Sequence, residues 1–191
     1  AVSGLLNGKI GGSSVKPYQP EGLWKEIASQ AYDQGSGEDL YRRGMYTFWK
    51  RTVPPPTMVT FDASSREICV LSRSRTNTPL QALALLNEVS YVEAARNLAQ
   101  QMMKRESDEG DRLRWGWRQV TSRQPTDYEM SILSKSLQRS LERYSKDQQA
   151  AIELIAFGES IADESLKPHQ LAAYTVIASM LLNLDEVINR E

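Results

Sequence analysis

The 191-residue chain has a single cysteine, a single histidine and a net charge of only −1. Cys69 has no partner for an internal disulfide, and one cysteine with one histidine cannot build a Cys/His zinc site. The haem-attachment motif C-x-x-C-H does not occur, so we expect the chain to bind no cofactor. The longest uncharged apolar run, 171–184, is too short for an ordinary membrane span. The near-neutral balance and the lack of a recognised motif also argue against nucleic acid as a partner.

Glycine and proline are scarce in the second part of the chain. Eight of the eleven glycines and five of the eight prolines precede residue 79. Each later proline stands at or just before a plausible helix start. This distribution predicts a mainly α protein, in which a loop-rich segment over 1–78 precedes a bundle of about five helices over 79–191. We expect a single domain, and a C-terminal fragment of a longer protein, because the chain opens on what resembles a helix end.

The loop-rich segment contains a few short stretches with predictable structure. "EGLWKEIASQAY" has the apolar spacing of a short amphipathic helix. "LYRRGMYTFWKR" and "TMVTFDA" favour one or two short strands. Between these two stretches, Pro54–Pro56 forces a polyproline-like conformation.

Helix signals in the second part are strong. Thr78 is a good N-cap and Pro79 suits the first helical position, so a helix begins there with Leu80, Leu83 and Ala84 on one face. The helical pattern weakens at 87–90, where this helix ends or another begins. "TDYE" is a capping box before a further helix, and Pro168 opens a last helix that is apolar nearly all round. Such a helix is predicted to lie at the centre of the bundle.

The segment Tyr41–Arg75 is basic and aromatic. It holds seven basic and two acidic residues, a local balance of +5, and five of the fifteen aromatic residues. Arginines beside aromatic rings are typical of sites for carboxylates, sulfates and phosphates, and a helix N-terminus follows directly. The arginines would supply charge-assisted hydrogen bonds, the tryptophan a stacking face and the asparagine polar specificity. The candidate ligand-binding residues are Arg42, Arg43, Trp49, Arg51, Arg66, Arg73, Arg75 and Asn77.

Two alternatives to a binding site remain open for this segment. Its arginines can instead tie irregular backbone together by binding carbonyl groups and carboxylates, for example in pairs such as Arg66–Asp62 or Arg43–Glu67. Alternatively, Asp62 and Glu67 can serve as acid and base of an enzyme, or enzyme subunit, that acts on complex carbohydrate. Two acidic residues five positions apart are a very weak signal for that chemistry. Cys69, between Ile68 and Val70, is predicted to be a small buried residue.

The segment that includes "PPPTMVTFDASSREICVLSRSRTNTPLQAL" resembles the hallmark stretch of the planctomycete-type surface domain of unknown function. The resemblance implies the C-terminal part of a large exported protein, often one that carries a planctomycete-type cytochrome c domain. It therefore implies a periplasmic or cell-surface location and the upstream domains of the parent chain as partners. It supplies no catalytic residues. The sequence thus favours a non-catalytic binding or interdomain module, with anionic polysaccharide or a partner domain as its ligand.

Overall fold

A computed structural model describes residues 1–28, 31–72, 74 and 76–188, without the side chains of 26–28. The predicted mainly α fold is confirmed. The chain folds into two compact units. The loop unit comprises Leu6–Ala84, and the bundle unit comprises Ala1–Leu5 with Leu85–Glu191. Whether the two units behave as one domain stays a prediction.

The loop unit is held by turns and short helices. The predicted short amphipathic helix is present as α1 (Leu23–Ala28), and α2 (Pro56–Thr60) and the start of α3 (Pro79–Asn87) follow. Two 3-10 turns lie at Gly37–Tyr41 and Gly44–Tyr46. Within the described residues the backbone pairs only in isolated bridges, and no strand forms.

The two stretches expected to be strands adopt other conformations. "TMVTFDA" contributes most of α2, because Pro56 at the first helical position presets the backbone for a helical turn. "LYRRGMYTFWKR" contains the end of the first 3-10 turn and the whole of the second, and it pairs through single bridges such as Asn7 with Arg42 and Val15 with Thr47. The opening residues 1–6, expected to end a helix, form turns and bends.

The bundle unit is built from α4 (Val89–Arg105), α5 (Glu109–Thr121), α6 (Asp127–Lys146), α7 (Gln148–Ile155), α8 (Pro168–Leu182) and the short α9 (Asp185–Ile188). The apolar helix α8 contacts every one of the other five, so its predicted central place is confirmed. Its core residues pack against apolar positions of α4, α5 and α6 at helical spacing. These partners include Ala95, Met102, Leu113, Trp117 and Leu137, all buried.

The start of α3 forms as expected, and the residue that it buries is polar. Thr78 and Gln81 exchange hydrogen bonds in a capping arrangement, with Thr78 N donating to Gln81 Oε1 over 3.0 Å and Gln81 N to Thr78 Oγ1 over 3.3 Å. Gln81 is 1% exposed, whereas Leu80 and Leu83, on the apolar face predicted from the sequence, are 60% and 57% exposed. The Gln81 amide also donates to Thr60 O and Thr76 Oγ1, so this glutamine faces the interior of the loop unit.

Candidate functional site

Arg42 is a structural tie. Its guanidinium donates to the carbonyl oxygens of Lys9 and Gly11, over 2.9 and 2.6 Å, and to that of Ser13 over 3.3 Å. The same group lies 3.9 Å from the ring centroid of Tyr46, whose hydroxyl accepts a hydrogen bond from Gly11 N. Arg42 therefore organises the 9–13 loop, because both of its Nη nitrogens donate to backbone carbonyl groups there.

The structure brings three of the predicted residues together. The Arg66 guanidinium lies 4.7 Å from the ring centroid of half-buried Trp49. Two residues along the chain from Trp49, Arg51 Nε lies 3.3 Å from Glu67 Oε1 in an exposed ion pair. We call Trp49, Arg51, Arg66 and Glu67 the Trp49 cluster. Arg66 is exposed and has a φ of 62°, a left-handed backbone that non-glycine residues rarely adopt.

The remaining predicted residues are placed differently. Arg43 is exposed at the start of the second 3-10 turn, where its carbonyl oxygen accepts a hydrogen bond from Tyr46 N. Asn77 is exposed just before α3. Arg73 and Arg75 lie outside the described residues. Cys69, predicted to be buried, is exposed, together with the neighbouring Ile68, Val70 and Leu71. A short apolar run does not by itself reveal whether a core is there to cover it.

The two carboxylates considered as an acid and base pair have structural partners. Asp62 Oδ2 accepts hydrogen bonds from the backbone nitrogen and the hydroxyl of Thr76, over 2.9 and 2.8 Å. Glu67 faces Arg51 in the exposed ion pair of the Trp49 cluster. Asp62 thus fastens the segment before α3 to the end of α2, and this arrangement gives no support to a catalytic pair.

An aromatic box in the loop unit was not anticipated. Lys16 Nζ lies 5.6 Å from the ring centroid of Trp24 and 5.9 Å from those of Tyr32 and Phe48. Lys50 Nζ lies 4.5 Å from the Trp24 ring. The Tyr32 hydroxyl donates to Pro17 O over 2.6 Å, and burial raises the pKa of Tyr32 to about 12. These contacts make the box a packing centre for the loop unit. The aromatic residues involved are spread from 24 to 48, so only the fold brings them together.

A buried polar strip on α4 was also missed. Glu93 and Arg96 are completely buried, 3.7 Å apart. The Arg96 guanidinium donates to Ile155 O over 2.5 Å, to Phe157 O over 2.8 Å and to both oxygens of Ser160. Glu93 Oε1 accepts from Ser160 N over 2.7 Å. The strip holds the connection between α7 and α8. Its signal was available in the sequence, where charged residues stand at helical spacing beside the apolar positions of α4.

The comparison with protein families identifies the chain. Residues 1–137 match the model of the family described as PSD1, a protein family of unknown function (DUF1553). The chain belongs to the PSD1 family. The match covers most of the chain and confirms the resemblance to a planctomycete-type domain of unknown function. Searches of curated proteins and of solved structures each found no match.

Two further findings concern this PSD1 chain as a whole. Among the described residues, no three His, Cys, Asp or Glu side chains are grouped so that they could hold a metal ion. In the same part of the chain, no helix combines the length and the apolar character needed to cross a bilayer. Membership of PSD1 assigns no activity, so any function must be argued from the Trp49 cluster and its surroundings.

Proposed function

We propose that this chain is a non-catalytic binding module whose Trp49 cluster takes the carboxylates or sulfates of an anionic polysaccharide. The observation that carries the proposal is that exposed Arg66 holds its guanidinium over the Trp49 ring, 4.7 Å from the ring centroid. A stacked guanidinium keeps its in-plane N–H donors, which match the two oxygens of a carboxylate or sulfate. The tryptophan therefore serves as a platform for Arg66, in place of the sugar-stacking face expected from the sequence.

The charge distribution supports the same reading. Residues 6–84 carry 10 basic and 7 acidic side chains, a net charge of +3, whereas the bundle unit carries 13 basic and 17 acidic side chains, a net charge of −4. The overall charge of −1 therefore conceals a basic loop unit. Surface ion pairs such as Arg51–Glu67 contribute little stability, so an incoming anion can compete with Glu67 for Arg51.

The test is calorimetric titration at low salt with three hexasaccharides: oligogalacturonate, a heparin-derived sulfated sugar and neutral cellohexaose. We expect the charged sugars to bind and the neutral one not to bind. Arg66→Glu should weaken binding by at least about tenfold, because it replaces a charge-assisted hydrogen bond with repulsion. Glu67→Gln should strengthen binding a few-fold, because it removes a competing carboxylate. Raising the salt concentration should weaken binding.

The matched control is Arg139→Glu, which makes the same charge change at an exposed position of α6 in the bundle unit. If the charged sugars bind equally to the Arg66 and Arg139 variants, attraction is not centred on the Trp49 cluster and the proposal fails. It fails also if neither charged sugar binds the unmodified chain.

A second candidate is the docking of another domain of the parent protein onto the loop unit. The exposed apolar side chains of Ile68, Val70 and Leu71 favour this candidate, because contiguous exposed apolar residues are typical of interaction surfaces. Mixing the chain with the separately produced upstream part of its parent should then give a complex that Leu71→Asp abolishes. In this case the calorimetric titrations with the three sugars should show no binding.

Export to the periplasm or cell surface completes the proposal and rests on the family resemblance. Fractionation of the source cells, with an antibody against this chain, tests it. Recovery of the parent protein in the cytoplasmic fraction alone would remove an external polysaccharide as a ligand.

A further inference from the structure

The bundle unit contains a cavity of about 190 Å³. Most of its wall is aliphatic and comes from α3, α4, α7 and α8. The aliphatic side chains in the wall are those of Leu86, Val92, Ala95, Leu154, Val176 and Met180. Leu86 and Met180 are also 48% and 36% exposed, so we expect the cavity to open to solvent past these two side chains.

The polar groups in the wall are few. Thr175 lines the cavity, but its hydroxyl donates to Leu171 O over 2.8 Å within α8, so this group is already satisfied. Ser179, one helical turn further along α8, brings a second hydroxyl to the wall and is half-buried. No described residue hydrogen-bonds to the Ser179 hydroxyl, which leaves it able to meet one polar atom of a ligand. Tyr144 contributes ring surface from α6.

We infer that this cavity binds a compact ring-sized molecule that is apolar apart from one hydroxyl group, as a simple phenol is. An enclosed apolar cavity of roughly 150 Å³ in a helical protein accepts benzene, so the size of the present, partly open cavity suits one six-membered ring with a small substituent. The apolar wall offers water few hydrogen-bond partners, so a ring that displaces water from it is favoured.

Met180 is an adaptable part of the cavity wall. An unbranched thioether side chain adapts to different shapes and makes favourable contacts with aromatic rings. Met180 lies at the opening and Ser179 precedes it on α8, so a ring held against Val92 and Ala95 can direct a hydroxyl towards Ser179. This site belongs to the bundle unit, and the inference is independent of the polysaccharide proposal.

The experiment measures binding of toluene and of p-cresol to the chain by ligand-observed NMR and calorimetry. We expect both to bind, with p-cresol the tighter. Val176→Phe should abolish binding by filling the cavity. Met180→Trp should do the same by blocking the opening, at an exposed position where the bundle tolerates a larger side chain. Ser179→Ala should weaken p-cresol binding about fivefold and leave toluene unchanged, as expected for the loss of one hydrogen bond.

The control is Ile132→Phe, which enlarges an exposed apolar side chain of α6 that does not line the cavity. This variant should bind both molecules as the unmodified chain does. Three results overturn the inference. Neither molecule binds up to its solubility limit, or binding survives in Met180→Trp, or sedimentation shows a dimer that Met180→Trp dissociates. The last result would mean that a second copy of the chain covers the opening.

Discussion

At the residue scale, Gly158, in the connection between α7 and α8, is the most constrained of the glycines. Its φ is +88°, and a Cβ built there would overlap the side chain of Glu93. Glu93 has little freedom to withdraw, because it is completely buried beside Arg96 and accepts a hydrogen bond from Ser160 N. The glycine therefore lets the connection approach the buried carboxylate.

Gly158→Ala should lower the free energy of unfolding by about 3 kcal/mol or more, through combined backbone strain and steric overlap. Urea unfolding measures this difference. Gly8→Ala is the control, since nothing lies within 4 Å of a Cβ at Gly8. It should change the free energy by less than about 1 kcal/mol. Similar small effects at both glycines would show that Glu93 is not fixed in place.

Glu88, at the start of α4, should make stability depend on pH. Burial raises the pKa of Glu88, and the charge of Glu93 adds to this effect, although hydrogen bonds from Ser90 and Tyr91 oppose it. A carboxyl with a raised folded-state pKa binds more protons in the native state. The free energy of unfolding therefore falls as pH rises from the unfolded-state pKa of about 4.3 through the folded-state value.

Glu88→Gln removes this dependence. The variant should be more stable than the unmodified chain at pH 7, and the difference should shrink as pH falls towards 4. Urea unfolding at several pH values between these limits measures it. Glu142→Gln, at an exposed position of α6, is the control and should show no such trend. A difference that is constant with pH would mean that ionisation of Glu88 is not its cause.

At the element scale, helix starts were predictable because their signals are local. Thr78 with Pro79, Thr126 with Glu129, and Pro168 each act within one turn of the chain. The bundle face of α4 was predictable for a similar reason, because its apolar residues recur at helical spacing.

The buried face of α3, and which of the arginines ties the backbone together, could not be predicted, because the partners are distant in sequence. Gln81 is buried by bonds to Thr60 and Thr76, which a helical pattern does not contain. Arg42 binds carbonyl oxygens about thirty residues earlier, and backbone carbonyls leave no mark in a sequence. The sequence therefore shows that the segment is basic. Only the folded structure shows that Arg42 holds the backbone together while the Trp49 cluster is exposed.

The capping box of α6 gives a prediction about one element. Thr126 Oγ1 accepts from Glu129 N, and the Glu129 carboxylate accepts from Thr126 N and from Arg123. Thr126→Ala should lower the free energy of unfolding by about 1 kcal/mol, whereas Thr126→Ser should leave the free energy of unfolding unchanged. Thermal unfolding followed by circular dichroism distinguishes the two. Equal losses in both variants would mean that the threonine methyl group, and not the hydroxyl, matters.

Protonation of the Glu129 carboxylate in acid should weaken the start of α6. Hydrogen bonds from Arg123 and Thr126 lower the pKa of Glu129 to about 2. The stability that it contributes is therefore present above the unfolded-state pKa of about 4.3 and is lost as pH falls towards 2. This trend is opposite in sign to that expected for Glu88.

At the scale of the whole molecule, the chain consists of two units with separate packing centres. The loop unit is organised around the aromatic box of Trp24, Tyr32 and Phe48, and by Arg42. The bundle unit is organised around α8. Units with separate cores can unfold as separate cooperative blocks.

We expect two transitions in differential scanning calorimetry. Leu137→Ala creates a cavity in the bundle core and should lower only the transition temperature of the bundle unit. The free energy of unfolding of that unit should fall by about 2–5 kcal/mol. Arg42→Ala should lower only the transition temperature of the loop unit. A single transition that both variants shift equally would show that the two units unfold together.

The grip of Arg96 on the connection between α7 and α8 has a consequence for the lifetime of the folded bundle. The carbonyl groups that it binds lie 59 to 64 residues further along the chain. Helix α4 can form from local contacts, but this guanidinium can be buried only after α7 and its connection have arrived. We expect such contacts to form late in the assembly of the bundle, so that their energy acts mainly as a barrier to unfolding. Arg96 thus contributes less to how quickly the bundle forms than to how long it persists.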